Sequence, residues 1–138
     1  MSRRDTYHNI VKRALIKEGW SITHDPYTFR SDPELSTDLG AERTIGAERE
    51  GKKIAIEIKS FLHTSQVTEF EKTIGQYQLY TWLLQEQEPE RELYVAVPTY
   101  AYDGILSQAV GRLALNKLGM KIIVYAISEE GRLQWITP

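Results

Sequence analysis

The chain has 138 residues, 41% of them hydrophobic and 26% charged, with a formal net charge of −2 and no cysteine. That length suits one domain with a real core, and the lack of cysteine excludes disulfides and thiolate-ligated metals. The charge balance excludes a surface coated in basic residues but not a local basic groove, and no run approaches the roughly 18 apolar residues of a membrane span.

The opening Met1-Ser2-Arg3-Arg4-Asp5 is polar and lacks the apolar block of a secretion signal, so a cytoplasmic protein is expected. Tyr7, Ile10, Val11, Ala14 and Leu15 recur at helical spacing, which predicts a helix over residues 5–18 that stops at Gly19. His8 and Lys12 flank this stripe, four residues apart. A short strand is expected over 20–24. Residues 25–37 are polar, hold Pro26 and Pro33, and read as a loop. Residues 39–48 and 52–60 read as the arms of a hairpin turning at Glu50-Gly51. A long helix follows over 65–85, with Val67, Phe70, Ile74 and Tyr77 on its buried face. The nearly continuous apolar run 93–97, closed by Pro98, predicts a strand buried on both sides. Residues 104–118 read as a helix, and 121–127 and 132–136 as a final strand pair around Glu129-Glu130-Gly131. The order is α-β-β-β-α-β-α-β-β. The long crossover helix makes its flanking strands parallel, so the expectation is a single-domain α/β sandwich over residues 1–138 with a mixed sheet flanked by helices.

The strand Lys53-Ile54-Ala55-Ile56-Glu57-Ile58-Lys59-Ser60 carries the most chemical information. Ile54, Ile56 and Ile58 define one face; Glu57 and Lys59 project from the other. Metal-dependent phosphodiester hydrolysis uses such a pair: the carboxylate holds a divalent cation and the ammonium orients water or neutralises phosphate charge. The same alternation also occurs on solvated sheets, where an acid and a base merely keep one face wet. Two upstream acids are candidates for completing the site. A four-residue hairpin loop sets Glu42 opposite Glu57, and a two-residue loop sets it opposite Lys59; both leave it on their face. Asp38 shares that parity but lies four residues farther out, and reaches the site only if the chain bends back near Gly40. On the crossover helix, Gln76 and Tyr80 share a face; Gln76 can bridge to water or phosphate, and Tyr80 can pack while donating from its hydroxyl. Their plainer roles are surface helix former and core residue. His8, His24 and His63 have no zinc-like spacing.

Several strings resemble the XisH family, whose members are cyanobacterial proteins named as controlling factors for excision of the fdxN DNA element. They are Ala14-Leu15-Ile16-Lys17-Glu18-Gly19-Trp20, Thr23-His24-Asp25-Pro26-Tyr27, Asp38-Leu39-Gly40-Ala41-Glu42, the strand through Phe61, Gly75-Gln76-Tyr77, Pro89-Glu90-Arg91-Glu92-Leu93-Tyr94 and Gln134-Trp135-Ile136. The family is similar to the restriction-endonuclease-like PD-(D/E)XK superfamily. That resemblance implies a four-stranded mixed core sheet, Glu57 and Lys59 as the E-x-K element, and Asp38 as the preceding acid, with Glu42 the alternative because Asp38 lacks the preceding proline. It implies that Gln76 and Tyr80 match a Q-x-x-x-Y helix. It further implies Mg²⁺, or Mn²⁺ in its place, held by Asp38 or Glu42 with Glu57 and the Ile58 carbonyl. DNA is then the expected substrate or partner, with Arg3, Arg4 and Lys12 as a basic end. A non-catalytic accessory that binds DNA, a site-specific recombinase or another excision factor fits the same family. Nuclease-like domains often act in pairs on two strands, which leaves a homodimer open.

Overall fold

The computed structural model describes residues 3–43, 51–62, 65–127 and 132–137, with side chains from Thr6 onward. Helix α1, Arg3–Lys17, is followed by strand β1, Ser21–His24, and by two short strands, β2 Tyr27–Thr28 and β3 Ser36–Thr37. Next come β4 Leu39–Arg43, β5 Lys52–Ile58, α2 Gln66–Gln87 and β6 Arg91–Pro98. The chain closes with α3 Thr99–Asp103, a 3₁₀ turn Ile105–Ser107, α4 Ala109–Leu118, β7 Lys121–Tyr125 and β8 Leu133–Ile136. No described helix is long and apolar enough to cross a membrane.

Six strands form one mixed sheet in the order β1-β4-β5-β6-β7-β8, two more than a four-stranded core. The inner pairs β5–β6 and β6–β7 are parallel, as the crossover helix requires, and the outer pairs are antiparallel. Alternation along each strand divides the core in two. Ile54, Ile56, Tyr94, Ala96 and Ile123 pack against Val11 and Leu15 of α1. Ala55, Leu93, Val95, Val97 and Ile122 pack against Phe70, Tyr77, Tyr80 and Leu84 of α2 and against the 3₁₀ turn. β6 is thereby covered on both faces, as its apolar run predicts.

Helix α1 ends at Gly19, whose φ of +92° suits glycine. Helix α2 begins where Ser65 accepts a hydrogen bond from the Thr68 amide at 3.2 Å, a side-chain cap on the first turn.

Four expectations need correction. The hairpin register is displaced: Leu39 pairs with Ile56, Glu42 with Lys53 and Arg43 with Lys52, so Glu42 faces neither Glu57 nor Lys59. The 25–37 segment is not all loop, because Tyr27–Thr28 and Ser36–Thr37 pair as a two-stranded ribbon. The buried stripe of α2 runs through Phe70, Thr73, Tyr77, Tyr80 and Leu84, leaving Val67 half exposed. The helix expected over 104–118 is two pieces. Gly111 of α4 packs so closely on the 3₁₀ turn that a Cβ there would stand 2.1 Å from the Ile105 carbonyl oxygen.

Candidate active site

The displaced register is what assembles the site. Each residue of β4 pairs four residues nearer the start of β5 than the four-residue hairpin loop would give, so the residue level with Glu57 is Asp38, immediately before β4. Asp38 Oδ2 accepts a hydrogen bond from the Ile58 amide at 2.6 Å, which fixes the acid beside the strand end. The Thr37 hydroxyl lies 2.7 Å from Glu57 Oε1 and 3.1 Å from the Ile56 carbonyl. Lys59 Nζ stands 3.3 Å from Glu57 Oε2, with only 13% and 12% of the two side chains exposed.

These groups line a cavity of about 390 Å³ at the end of β5, between the two helical layers. Asp38, Glu57, Ile58, Lys59 and Ser60 come from the sheet, Tyr7 and His8 from α1, and Glu69 and Gln76 from α2. Burial pushes the Glu57 carboxyl above its ordinary range, and the neighbouring Asp38 carboxylate pushes it further; Lys59 and Thr37 pull the other way. Tyr80 is buried in the core and stacks on Phe29 at 5.2 Å. Its hydroxyl is pushed up by burial and then by the charges of Glu57 and Asp38, and it is hydrogen-bonded to Gln76. The Gln76 Oε1 atom is buried without a hydrogen-bond partner.

The strand end is fixed by its backbone. The Lys59 amide donates to the Ala96 carbonyl at 2.8 Å, the Tyr125 hydroxyl donates to the Lys59 carbonyl at 2.9 Å, and the Tyr100 hydroxyl donates to the Ser60 carbonyl. Burial pushes the Tyr125 hydroxyl far above its ordinary range, so it stays a donor. Phe61 turns the chain with φ +54° and is 3% exposed. A left-handed non-glycine residue costs about 1–2 kcal/mol, whereas burying a phenylalanine ring contributes about 1.5–3 kcal/mol. Packing is the larger effect, so the turn holds.

Of the residues singled out in the sequence, Asp38, Glu57, Ile58, Lys59 and Gln76 share one cavity, and Tyr80 lies behind it. Glu42 does not join them. It lies toward the other end of the sheet, 3.4 Å from the buried Arg91 guanidinium and level with Lys53. Lys12 is 2.6 Å from Asp25. Arg3 and Arg4 open α1, but their side chains lie outside the description, as does His63. Thr37 and Glu69 escaped the sequence reading, which placed Tyr7 on an apolar stripe and His8 beside it without giving either a place in the site. The spacing of His8 and Lys12 was the one available signal, since both reach Asp25.

The XisH protein family model matches residues 1–132. Two solved structures are similar over nearly the whole chain. One is an XisH family protein from Nostoc punctiforme PCC 73102, 36% identical, with a TM-score of 0.84, covering 96% of this chain and 99% of that one. The other is an fdxN element excision controlling factor protein from Anabaena variabilis, 37% identical, with a TM-score of 0.83 and coverage of 96% and 99%. No curated protein matches the chain.

Proposed function

The chain belongs to the XisH family, and from that membership and the cavity at the end of β5 we propose that it acts in excision of an fdxN-type DNA element by Mg²⁺-dependent cleavage of a phosphodiester bond. The observation that carries this reading is the convergence of Asp38, Glu57 and Lys59 in one cavity with a buried, unpartnered oxygen of Gln76. In this reading the fold is of the restriction-endonuclease-like class, Glu57 and Lys59 form its E-x-K element, and Asp38 is the preceding acid.

The residues fit a hard cation. Asp38, Glu57 and the Ile58 carbonyl would hold it, all through oxygen. Among the described residues no group of three or more His, Cys, Asp or Glu side chains is placed to hold a metal ion. Mg²⁺ commonly uses one or two carboxylates and keeps several waters, so two acids suffice, and Mn²⁺ would substitute. The Glu57 carboxyl is raised first by its burial and then by the neighbouring Asp38 charge, and a divalent charge there would favour its ionised form. When bound, the ion supplies Lewis-acid polarisation of a phosphoryl oxygen and a more acidic water. Lys59 positions the attacking water and offsets charge developing on the phosphorus oxygens. Gln76, its amide tied to Tyr80, has Oε1 available to accept from water.

Duplex DNA is the proposed substrate, and a pair of chains would address both strands. Lys12 contributes less to phosphate binding than its charge suggests, because Asp25 already neutralises it.

A second reading rests on a specific observation. Asp38 Oδ2 is taken by the Ile58 amide, and the two Glu57 oxygens face Thr37 and Lys59, so the acids are satisfied within the protein. Such a site suits a non-catalytic accessory that binds DNA, a site-specific recombinase or another excision factor.

Supercoiled plasmid with Mg²⁺ or Mn²⁺ separates the two. Cleavage predicts nicking by the wild type and a loss of about 10²–10³-fold or more in Lys59→Ala. No cleavage of duplex, branched or single-stranded DNA by the wild type, with Lys59→Ala still competent in excision, leaves the accessory role.

A further inference from the structure

Helix α1 brings an imidazole to the cavity. His8 lines it, and its Nε2 lies 2.8 Å from Asp25 Oδ1. The other Asp25 oxygen, Oδ2, takes Lys12 Nζ at 2.6 Å. His8 and Lys12 stand one helical turn apart, so α1 grips both oxygens of a single carboxylate just beyond β1. Burial opposes the ionisation of Asp25, but the hydrogen bond from Lys12 and the charge of His8 hold its carboxyl below the ordinary range. Anchoring the 25–37 segment to α1 needs only Lys12. It does not need a second partner that also forms the wall of a polar cavity.

Bonded to Asp25 through Nε2, the ring is fixed in orientation where His8 lines the cavity, which leaves Nδ1 as its second proton-carrying atom. The titratable groups around that cavity are Tyr7, Asp38, Glu57, Lys59 and Glu69. Carboxylates outnumber the single ammonium there, so an imidazolium adds the sign of charge that an incoming phosphodiester requires.

Resting on the phosphodiester chemistry proposed above, we infer that His8 is the general acid of the reaction and that Asp25 is its positioning residue. The oxygen of water bonds to phosphorus while the bond from phosphorus to the leaving nucleoside oxygen breaks. That oxygen takes the proton from His8 Nδ1. The proton shed by the attacking water passes to bulk solvent, from which His8 is reprotonated. Lys59 works on the attacking side and His8 on the departing side, which gives each cation of the cavity a separate task.

Leaving-group dependence tests this. Plasmid DNA departs through an alkoxide that needs a proton; the p-nitrophenyl ester of thymidine monophosphate departs through a stable phenolate that does not. His8→Gln is expected to lose about 10²–10⁴-fold in kcat on DNA and less than about threefold on the ester. Asp25→Asn should give a smaller loss on DNA and, like His8→Gln, spare the ester. Should His8→Gln fail to fold, as read by its thermal melt, His8→Asn takes its place. DNA cleavage by the variant within about threefold of wild type, or an equal loss on both substrates, overturns the inference while the cleavage reading stands. A wild type inactive on both substrates with Mg²⁺ and Mn²⁺ overturns the two together.

Discussion

Replacing Glu88 by glutamine tests the electrostatics of the sheet's other end, where Glu42 belongs. Arg91, its side chain 1% exposed, reaches Glu88 Oε1 at 2.6 Å and Oε2 at 3.2 Å, and its Nη1 donates to the Ile54 carbonyl at 2.8 Å. The guanidinium lies 4.9 Å from the Tyr27 ring centroid, and the Tyr27 hydroxyl donates to Glu88 Oε1 at 2.7 Å. The Arg91 hydrogen bonds, helped by Tyr27 and Lys53 and opposed by burial, bring the Glu88 carboxyl down from 4.5 to about 2. A depression of that size corresponds to about 3 kcal/mol. Glu88 keeps 21% of its side chain exposed, and solvent screening reduces the figure to about 1–2 kcal/mol. The sign follows from the direction. A carboxyl lowered by folding stabilises the native state above its unfolded value of 4.5, and that contribution disappears as the pH falls through about 2. Urea unfolding of both proteins across this range should find Glu88→Gln less stable by about 1–2 kcal/mol near neutrality, with the difference closing in acid. A variant as stable as wild type at neutral pH, or a gap that ignores pH, would refute the reasoning.

Two further outcomes are expected. Mg²⁺ at about 100 times its Kd should stabilise the wild type by about 2.7 kcal/mol, read as a rise in Tm. The rise should shrink on acidification, because the raised Glu57 carboxyl regains its proton at a milder pH than an ordinary acid, and it should vanish in Asp38→Asn; an undiminished rise in that variant counts against this metal site. Gly111→Ala should cost about 3 kcal/mol in chemical denaturation, since its Cβ meets the Ile105 oxygen at 2.1 Å and the Leu106 Cα at 2.7 Å, both backbone atoms. A loss below about 0.5 kcal/mol would mean that α4 and the 3₁₀ turn separate freely.

The sheet was legible wherever residue alternation alone decides the face. Ile54 and Ile56 against Ala55 fixed both sides of β5, and the run 93–97 marked the strand buried on each side. The hairpin register was not, because Glu50-Gly51 reads as the turn, whereas the described ladder from Leu39–Ile56 to Arg43–Lys52 is offset by four residues from the register of a four-residue turn there. The phase of α2 was hidden by Thr73. A threonine in a buried stripe reads as an interruption, yet its hydroxyl donates to the Glu69 carbonyl at 2.8 Å and is satisfied there. Strands of two residues, as in β2 and β3, carry no period to detect. In the site, Glu57 and Lys59 were readable because one strand presents both. That Asp38 and not Glu42 lies beside them depended on the register, and His8 and Asp25 meet only once α1 lies beside the end of β1.

The clasp on the carbonyls of Lys59 and Ser60 has a consequence for how the cavity meets its occupant. Two tyrosine hydroxyls from beyond the crossover helix donate to those carbonyls, and the Lys59 amide donates to the Ala96 carbonyl, so the backbone beneath the ammonium is held from three sides. The scaffold therefore fixes the backbone from which Lys59 springs, and the ammonium is held beside Glu57. Loosening a distant ring, as in Tyr125→Phe, would blur that placement without touching any group that meets the occupant.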